Sequence, residues 1–154
     1  AQAGMTHGVV VATGLAAVLG HNWSLFVQFR GGRGISTALG VLLAIFPRGV
    51  PYLLLTLGIG KLCQATASFA LLGLLTVPLL ALASGQPPHV IVAGVAIALI
   101  IIVKRLEANG APPPPDQPLR QTLWRRLWWD RDVADAEAWI MRRPPLNGQT
   151  GAKG

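Results

Sequence analysis

Apolar residues dominate the first two thirds of the chain, where they form five stretches separated by glycine, proline or basic residues. A helix needs about 20 apolar residues, within a range of roughly 17 to 25, to cross the hydrocarbon core of a bilayer. We interpret the stretches at 62–83 and 88–103 as spans, although the second falls just short of this range, and the others are shorter. The pattern predicts an all-α fold, a polytopic transmembrane helical bundle. The stretches cover residues 8–20, 35–46, 49–60, 62–83 and 88–103.

The last two stretches predict a helical hairpin. Residues 62–83 and 89–103 are joined by Ser-Gly-Gln-Pro-Pro at 84–88, a turn that contains helix breakers and no charge. The second and third stretches are interrupted by prolines and an arginine at 47–51. They predict either one kinked span or two short helices packed inside a bundle. The first stretch has no basic residue before it, unlike a signal peptide, and we interpret it as the end of a longer span.

Charged residues make up only 12% of the chain, against roughly 25% in ordinary globular domains. All six carboxylates follow Leu106, so the apolar part contains none. This excludes carboxylate general bases, glycosidase carboxylate pairs and carboxylate metal sites from the apolar part. The three histidines and the single cysteine show no metal-ligand spacing, and we expect neither a metal nor another cofactor.

Basic residues predict the orientation of the hairpin. Lys61 precedes it, Lys104 and Arg105 follow it, and the turn between the helices is uncharged. Because cytoplasmic loops carry an excess of Lys and Arg, these ends are predicted to be cytoplasmic. Lys104 and Arg105 are interpreted either as a stop-transfer anchor or as a secondary anion-binding pair.

After Leu106 the apolar stretches end, and prolines and charged residues follow. Residues 107–118 form a proline-rich linker, and residues 119–142 predict an amphipathic helix followed by a mixed-charge helix from 130 to 141. The amphipathic helix is interpreted either as lying in the headgroup layer of an anionic leaflet or as docked on protein. A disordered tail is predicted at 143–154. The apolar stripe is Leu119, Leu123, Leu127 and Trp128, and the opposite face is Arg120, Gln121, Arg125 and Arg126.

The most informative polar segment lies between the first two apolar stretches, at residues 20–37. Its glycines allow the backbone to approach an anion closely, and its arginines present planar charged groups suited to phosphate oxygens. If Ile35 begins a helix, the free N–H groups and hydroxyls of the first turn face the same anion at the positive end of the helix dipole. The segment therefore predicts a phosphate site at a membrane surface. The candidate residues are Arg30, Gly31, Gly32, Arg33, Gly34, Ser36 and Thr37.

Other interpretations of the segment are weaker. It could be a tight cytoplasmic turn whose arginines follow the positive-inside bias, with His21 as an interfacial residue. A single Arg-Gly-Gly copy between membrane spans does not indicate RNA binding, and no nucleic acid partner is expected. A Walker-type nucleotide loop is excluded because no Gly-Lys-Ser/Thr follows.

The same segment resembles the second signature of the bacterial acyl-phosphate:glycerol-3-phosphate acyltransferases, the PlsY family. In that signature a Gly-His pair is followed by aromatic residues, then Phe-basic-Gly-Gly-Lys-Gly, a small apolar pair and Thr. The resemblance covers residues 8–106. The corresponding residues here are Gly20, His21, Trp23, Phe26, Phe29, Arg30, Gly31, Gly32, Arg33, Gly34, Ile35, Ser36 and Thr37.

The resemblance implies a multi-pass enzyme of the bacterial inner membrane. It would transfer an acyl group from acyl phosphate to the 1-hydroxyl of glycerol 3-phosphate, giving lysophosphatidate and phosphate, without a metal or a covalent intermediate. Because acyl phosphate is already activated, the protein would supply positioning and charge neutralisation. The resemblance also places His21 in the phosphate pocket. The amphipathic helix adds anionic lipid headgroups as expected partners.

Three departures from the family pattern stand against this match. The first signature, Ser-Gly-Asn-Ile-Gly-Ala-Thr-Asn, is absent upstream of the matched segment. In the third, His-x-x-Asn-Ile-x-Arg-Leu, Leu99 replaces His and Ile102 replaces Asn, while Arg105 is kept. Arg33 replaces the family's lysine, which keeps the charge but not the shape. We expect a fragment, half of an enzyme completed by a chain with the missing signature, or a non-catalytic membrane subunit or headgroup-binding relative.

Overall fold

The computed structural model describes residues 6–29, 31–115 and 117–132. Within these ranges the chain forms six α-helices and no strand, which confirms the predicted all-α class. Short 3-10 turns follow the first and the fifth of these helices. The helices are α1 (His7–Asn22), α2 (Ile35–Ile45), α3 (Gly49–Leu62), α4 (Thr66–Ala83), α5 (Pro88–Glu107) and α6 (Leu119–Trp129).

Helices α1 and α5 run parallel and contact each other at both ends. At one end the rings of His7 and His89 lie 4.4 Å apart, and we call this the histidine end of the bundle. At the other end Trp23, the residue after α1, donates from Nε1 to Oε2 of Glu107 at 2.6 Å. This second end also carries residues 28–34, the glycine-arginine loop, and we call it the loop end.

Along the chain, α1, α2, α3 and α4 are each antiparallel to the next. Val41 of α2 fills the space beside Gly14 of α1, and the hydroxyls of Tyr52 in α3 and Thr76 in α4 are hydrogen bonded at 2.6 Å. Ile45, near the end of α2, shares a cavity with the residues of the histidine end. Helix α2 therefore leads away from the glycine-arginine loop and α3 returns, which decides between the two predictions in favour of two short helices packed in a bundle.

Close packing of α3 and α4 depends on a small residue. A β-carbon added at Gly73 would collide with the hydroxyl of Thr56 and with Leu53 on the facing helix. Small residues are the usual means by which membrane helices approach closely. Because lipid tails are as apolar as the side chains, no hydrophobic driving force joins the helices, and close packing must hold them together. The buried core is aliphatic apart from one phenylalanine, and its largest members are Val18, Leu42, Phe46, Leu53, Leu71, Leu74, Ile97 and Ile101.

Three helical segments are long and apolar enough to cross a membrane: His7–Val27, Thr66–Ala83 and Pro88–Gly110. Many leucines on the outer surface of the bundle are exposed, as expected for helices that contact lipid, including Leu43, Leu55, Leu79 and Leu99. The shorter helices α2 and α3 pack against these spans and need not cross the membrane alone.

Two predicted boundaries are wrong. Helix α4 begins at Thr66 and not at residue 62, because Gln64 takes a left-handed φ of 54° in the turn after α3. Helix α6 ends at Trp129, because Asp130 has a φ of 56°, so the predicted helix from 130 to 141 does not include residues 130–132. The rest of that prediction, and the predicted tail at 143–154, lie outside the described residues.

Candidate anion-binding site

The glycine-arginine loop joins α1 to α2 and folds back on the end of α1. Gln28 and Phe29 have φ angles of 53° and 64°, and the amide of Gly32 donates to the carbonyl of His21 at 3.2 Å. The left-handed turn reverses the chain so that residues 31–34 lie against the last turn of α1. Arg30, a predicted phosphate ligand, lies outside the described residues.

The close contact between residues 31–34 and the end of α1 requires glycine at two of the predicted positions. A β-carbon at Gly31 would overlap the backbone of His21 and Asn22, and one at Gly32 would overlap the imidazole of His21. The sequence predicted that these glycines let the backbone approach an anion closely, but in the structure the group they lie against is the end of α1. The loop is thereby held with its backbone packed on a helix end.

Helix α2 begins at Ile35, as predicted. Gly34 precedes it with a φ of 72°, and its carbonyl accepts the first helical hydrogen bond, from the amide of Ala38 at 2.8 Å. The amides of Ile35, Ser36 and Thr37 therefore precede the first intrahelical bond and are the free donors of a helix N-terminus. Such a terminus favours anions through its N–H groups and through the helix dipole.

The hydroxyls of Ser36 and Thr37 have different surroundings. Ser36 is exposed at the loop end. Thr37 lies at one end of a mainly apolar groove of about 410 Å³ between α1 and α2, which extends to Ile45. The groove is lined by small and aliphatic residues that include Gly14, Ala17 and Val41. The N-terminus of α2 and this groove are therefore adjacent.

Asn22 is a candidate site residue that sequence reasoning missed. Its side chain is fully buried, and neither Nδ2 nor Oδ1 has a hydrogen-bond partner among the described residues. The carboxamide lies directly against Gly34, where it would collide with an added β-carbon. A buried polar group without a partner costs about 1 to 3 kcal/mol, so such groups are rare and commonly mark functional sites. The sequence signal that could have identified Asn22 is its place as a polar residue in the last turn of an apolar helix.

Lys104, one of the predicted secondary residues, is fully buried at the loop end. Its Nζ donates to the carbonyl of Phe29 at 3.0 Å and to Oε2 of Glu107 at 3.3 Å, and it lies 4.9 Å from the ring centre of Trp23. Two of its three N–H donors are thus used within the protein. Lys104 ties the end of α5 to the residue that precedes Arg30.

Arg105, the other predicted secondary residue, is also buried and joins three helices. Its Nη1 donates to the carbonyl of Leu127 in α6 at 2.8 Å, and its Nη2 donates to the carbonyl of Ala67 in α4 at 2.7 Å. The structure therefore gives both Lys104 and Arg105 partners inside the protein and does not place them at the lipid surface as anchors.

Helix α6 is docked on the bundle by a polar face. Arg126, which was predicted on the outer face, is buried instead, because it pairs with Asp132 and donates to the carbonyls of Leu106 at 3.1 Å and Ala111 at 2.8 Å. Ser68 of α4 adds a hydrogen bond to the carbonyl of Trp128 at 2.8 Å. These contacts support the interpretation of a helix docked on protein.

The docked helix brings a carboxylate to the glycine-arginine loop. Nη1 of Arg33 lies 2.9 Å from Oδ1 of Asp130, and both side chains are mostly buried. Burial raises the pKa of Asp130, and the positive charges of Arg33 and Arg105 oppose this shift. The pairing joins segments that are distant in the sequence, so no local pattern could have indicated it.

Comparisons with known proteins agree with the signature in the loop. Residues 2–109 match the family model described as glycerol-3-phosphate acyltransferase. Over 146 residues the chain is 34% identical to glycerol-3-phosphate acyltransferase 4 of Dehalococcoides mccartyi strain CBDB1, an alignment that covers 86% of this chain and 60% of that protein. It is 37% identical over 99 residues to the glycerol-3-phosphate acyltransferase of Geobacter sulfurreducens, covering 64% of this chain and 51% of the relative.

A third relative gives the same result. The glycerol-3-phosphate acyltransferase of Neisseria meningitidis strain Z2491 is 34% identical over 108 residues, which cover 66% of this chain and 51% of the relative. The chain thus spans about half to three fifths of the length of these curated relatives. No solved structure gives a significant match. Its helices and its relatives identify the chain as a membrane protein, and it belongs to the glycerol-3-phosphate acyltransferase family.

Proposed function

We propose that this chain binds the phosphate group of glycerol 3-phosphate or of an acyl phosphate at the glycine-arginine loop, as part of an acyltransferase that makes lysophosphatidate. The observation that carries the proposal is the open N-terminus of α2, where three free amides follow Gly34 and the guanidinium of Arg33 lies in the same loop. Phosphate suits this combination of backbone donors, helix dipole and arginine. The relatives are named as glycerol-3-phosphate acyltransferases, which supports glycerol 3-phosphate as the substrate.

The groove between α1 and α2 supports an acyl donor with its phosphate at the loop. The groove begins at Thr37, in the first turn of α2, and continues past Val41 to Ile45. A helix rises about 1.5 Å per residue, so the groove follows α2 for about 12 Å. A single apolar chain whose charged end lies at the loop would fit this arrangement.

In the proposed reaction the 1-hydroxyl oxygen of glycerol 3-phosphate bonds to the acyl carbonyl carbon. The bond between that carbon and the phosphate oxygen breaks, and the hydroxyl proton passes to an oxygen of the departing phosphate. No protein acid or base is needed, which agrees with the absence of carboxylates before Leu106. The chain's part is to hold two anionic groups in reach of one another and to neutralise their charge.

The proposed location is the bacterial inner membrane, with several crossings and with the loop end in the cytoplasm. Lys61, Lys104 and Arg105 all lie at that end of the bundle. The outward side of α6 would then contact the headgroups of anionic lipids. Leu119 and Trp124 are 56% and 58% exposed there, and Arg120 is exposed between them.

One observation favours the alternative of a non-catalytic, anion-binding membrane subunit. Leu99, which replaces the histidine of the third signature, is 56% exposed on the outer surface of α5 and supplies no polar group to the loop end. Binding and acyl transfer must therefore be measured separately.

The proposal is tested by calorimetric titration of the purified, detergent-solubilised chain with glycerol 3-phosphate and with inorganic phosphate. Arg33→Gln should weaken binding roughly tenfold to a hundredfold, the loss expected for one charge-assisted contact. Arg48→Gln is the matched control, because it removes the same charge from the turn between α2 and α3 at the opposite end. If both variants bind like wild type, the phosphate site is elsewhere.

Acyl transfer is followed by lysophosphatidate formation from acyl phosphate and glycerol 3-phosphate. Turnover that Arg33→Gln abolishes and Arg48→Gln retains would support the acyltransferase. Binding that depends on Arg33, without turnover in wild type, would favour the anion-binding subunit.

A further inference from the structure

We propose that Asp130 is an internal anion that occupies Arg33 and that the phosphate group of a substrate must displace, so that the end of α6 restrains the anion site. The inference rests on the proposed function, because it assumes that Arg33 contacts phosphate. It adds regulation by Asp130, a residue outside the segment 2–109 that the family model matches.

The first argument is the geometry of the pair. Nη1 of Arg33 and Oδ1 of Asp130 lie 2.9 Å apart, close enough for an ion pair. Both atoms are buried, yet neither makes a well-aligned hydrogen bond within the described part of the chain. The carboxylate of Asp130 thus balances the charge of Arg33 but does not accept a well-aligned hydrogen bond from its Nη1. A phosphate, which offers several oxygens to the planar guanidinium, can make the aligned bonds that this carboxylate does not.

The second argument is that Asp130 is held in place and is not a loose surface residue. Arg105 and Ser68 bind the carbonyls of Leu127 and Trp128, three and two residues earlier. The amide of Asp130 itself donates to the carbonyl of Arg126 at 3.1 Å. The last turn of α6 therefore fixes the backbone of Asp130 beside the loop, and only its side chain needs to rotate when an anion arrives.

The third argument concerns the groups around the carboxylate. The positive charges that act on Asp130 come from Arg33 of the loop and Arg105 of α5, and Arg105 already uses two donors on carbonyl oxygens. Burial raises the pKa of Asp130, which means that its charged form is poorly solvated in this position. A carboxylate displaced from Arg33 would keep only Arg105 of the two positive charges that act on it, so its side chain must turn towards solvent, where its charge is better solvated, for a phosphate to take its place.

The consequence is a lowered apparent affinity. A site whose binding arginine is paired with an internal carboxylate binds a ligand more weakly, in proportion to the fraction of molecules in which the arginine is free. The side chains of Arg33 and Asp130 are still 27% and 20% exposed, so solvent screens this ion pair in part. Exposed pairs contribute about 1 kcal/mol or less, and on that scale removing the competitor should tighten phosphate binding about two- to fivefold.

The test titrates the purified full chain with inorganic phosphate and with glycerol 3-phosphate. Asp130→Asn is the main variant, because asparagine keeps the shape and tolerates the left-handed φ of 56°. It should bind both ligands about two- to fivefold more tightly than wild type. Asp130→Ser serves as a second variant and should show the same gain, and far-UV circular dichroism of each sample establishes that it is folded.

Glu107→Gln is the matched control for charge. It also removes one negative charge at the loop end, but its carboxylate binds Trp23 and Lys104 and not Arg33. A gain in Glu107→Gln equal to that in Asp130→Asn would mean that net charge alone is responsible and would overturn the proposal. In an Arg33→Gln background, Asp130→Asn should give no gain.

The outcomes separate the two proposals. If Arg33→Gln weakens binding while Asp130→Asn leaves it unchanged or weakens it, Asp130 orients Arg33 and does not compete with the ligand. The present inference then fails, and the proposed function stands. If Arg33→Gln has no effect on binding, the phosphate site is not at Arg33, and both proposals fail.

Discussion

The buried ammonium of Lys104 donates to the carbonyl of Phe29, so a residue at the end of α5 holds the chain one position before Arg30. The same ammonium binds Glu107, which also accepts from Trp23 at the end of α1. The ends of α1 and α5, which lie beside the loop, are therefore joined through the carboxylate of Glu107. This arrangement suits a loop that must present backbone donors in a fixed direction.

Replacing Lys104 with methionine should loosen the glycine-arginine loop. The change leaves the carbonyl of Phe29 and the carboxylate of Glu107 without their shared donor, at a cost of about 1 to 3 kcal/mol in folding free energy. Amide hydrogen exchange of residues 28–34 should become faster, and phosphate affinity should fall. Lys61→Met is the control, since Lys61 is exposed at the end of α3. Unchanged exchange in Lys104→Met would show that the bond does not restrain the loop.

Gly31→Ala should disrupt the loop far more than an alanine at an exposed glycine of a helix. The added methyl would overlap the backbone of His21 and Asn22, which cannot rotate away as a side chain can. We expect loss of phosphate binding and a lower unfolding temperature. Gly58→Ala is the comparison, because a β-carbon there meets open space on the exposed side of α3 and alanine is the better helix former. Equal behaviour of the two variants would contradict the described packing.

The raised pKa of Asp130 predicts a pH dependence with a definite sign. A carboxyl group whose pKa is higher in the folded state than its unfolded value of 3.8 stabilises the fold below that value, and this contribution is lost as the pH rises through the folded pKa. Wild type should therefore lose stability relative to Asp130→Asn as the pH increases across that window. Denaturant titrations of both proteins at several pH values would measure the difference, and a constant difference would show that the pKa is not raised.

The outward side of α6 should contact lipid through Trp124. Trp124 is 58% exposed, whereas Trp128 is half-buried and packs beside it with ring centres 5.7 Å apart. In nanodiscs, lipids with brominated chains should quench less of the fluorescence of Trp124→Phe than of Trp128→Phe. Anionic lipid should strengthen the contact by about 1 kcal/mol for each nearby basic residue. Equal quenching in the two variants would mean that α6 does not face lipid through Trp124.

The sequence predicted the local parts of this molecule and missed those that depend on partners distant in the chain. The start of α2 at Ile35 follows from Gly34 and the apolar run, which are neighbours. Arg126 was assigned to the outer face because helical periodicity separates polar from apolar positions. Periodicity does not say which face docks, and the carbonyls of Leu106 and Ala111 that bury Arg126 belong to other segments. Asp130 was missed for the same reason, whereas Asn22 had a local signal, since it is a polar residue in the last turn of an apolar helix.

The paired contacts of α1 with α5 set the depth of the glycine-arginine loop in the bilayer. One contact joins His7 to His89 and the other joins Trp23 to Glu107, so α1 is attached near both of its ends. A helix attached in this way cannot slide along its neighbour or tilt independently of it. Helix α5 belongs to the most hydrophobic span, with a mean hydropathy of 2.2, and the position of that span in the membrane is the most strongly determined. The position of α5 in the membrane therefore sets the height of residues 28–34 above the hydrocarbon core. We expect this height to stay constant when the thickness of the membrane changes.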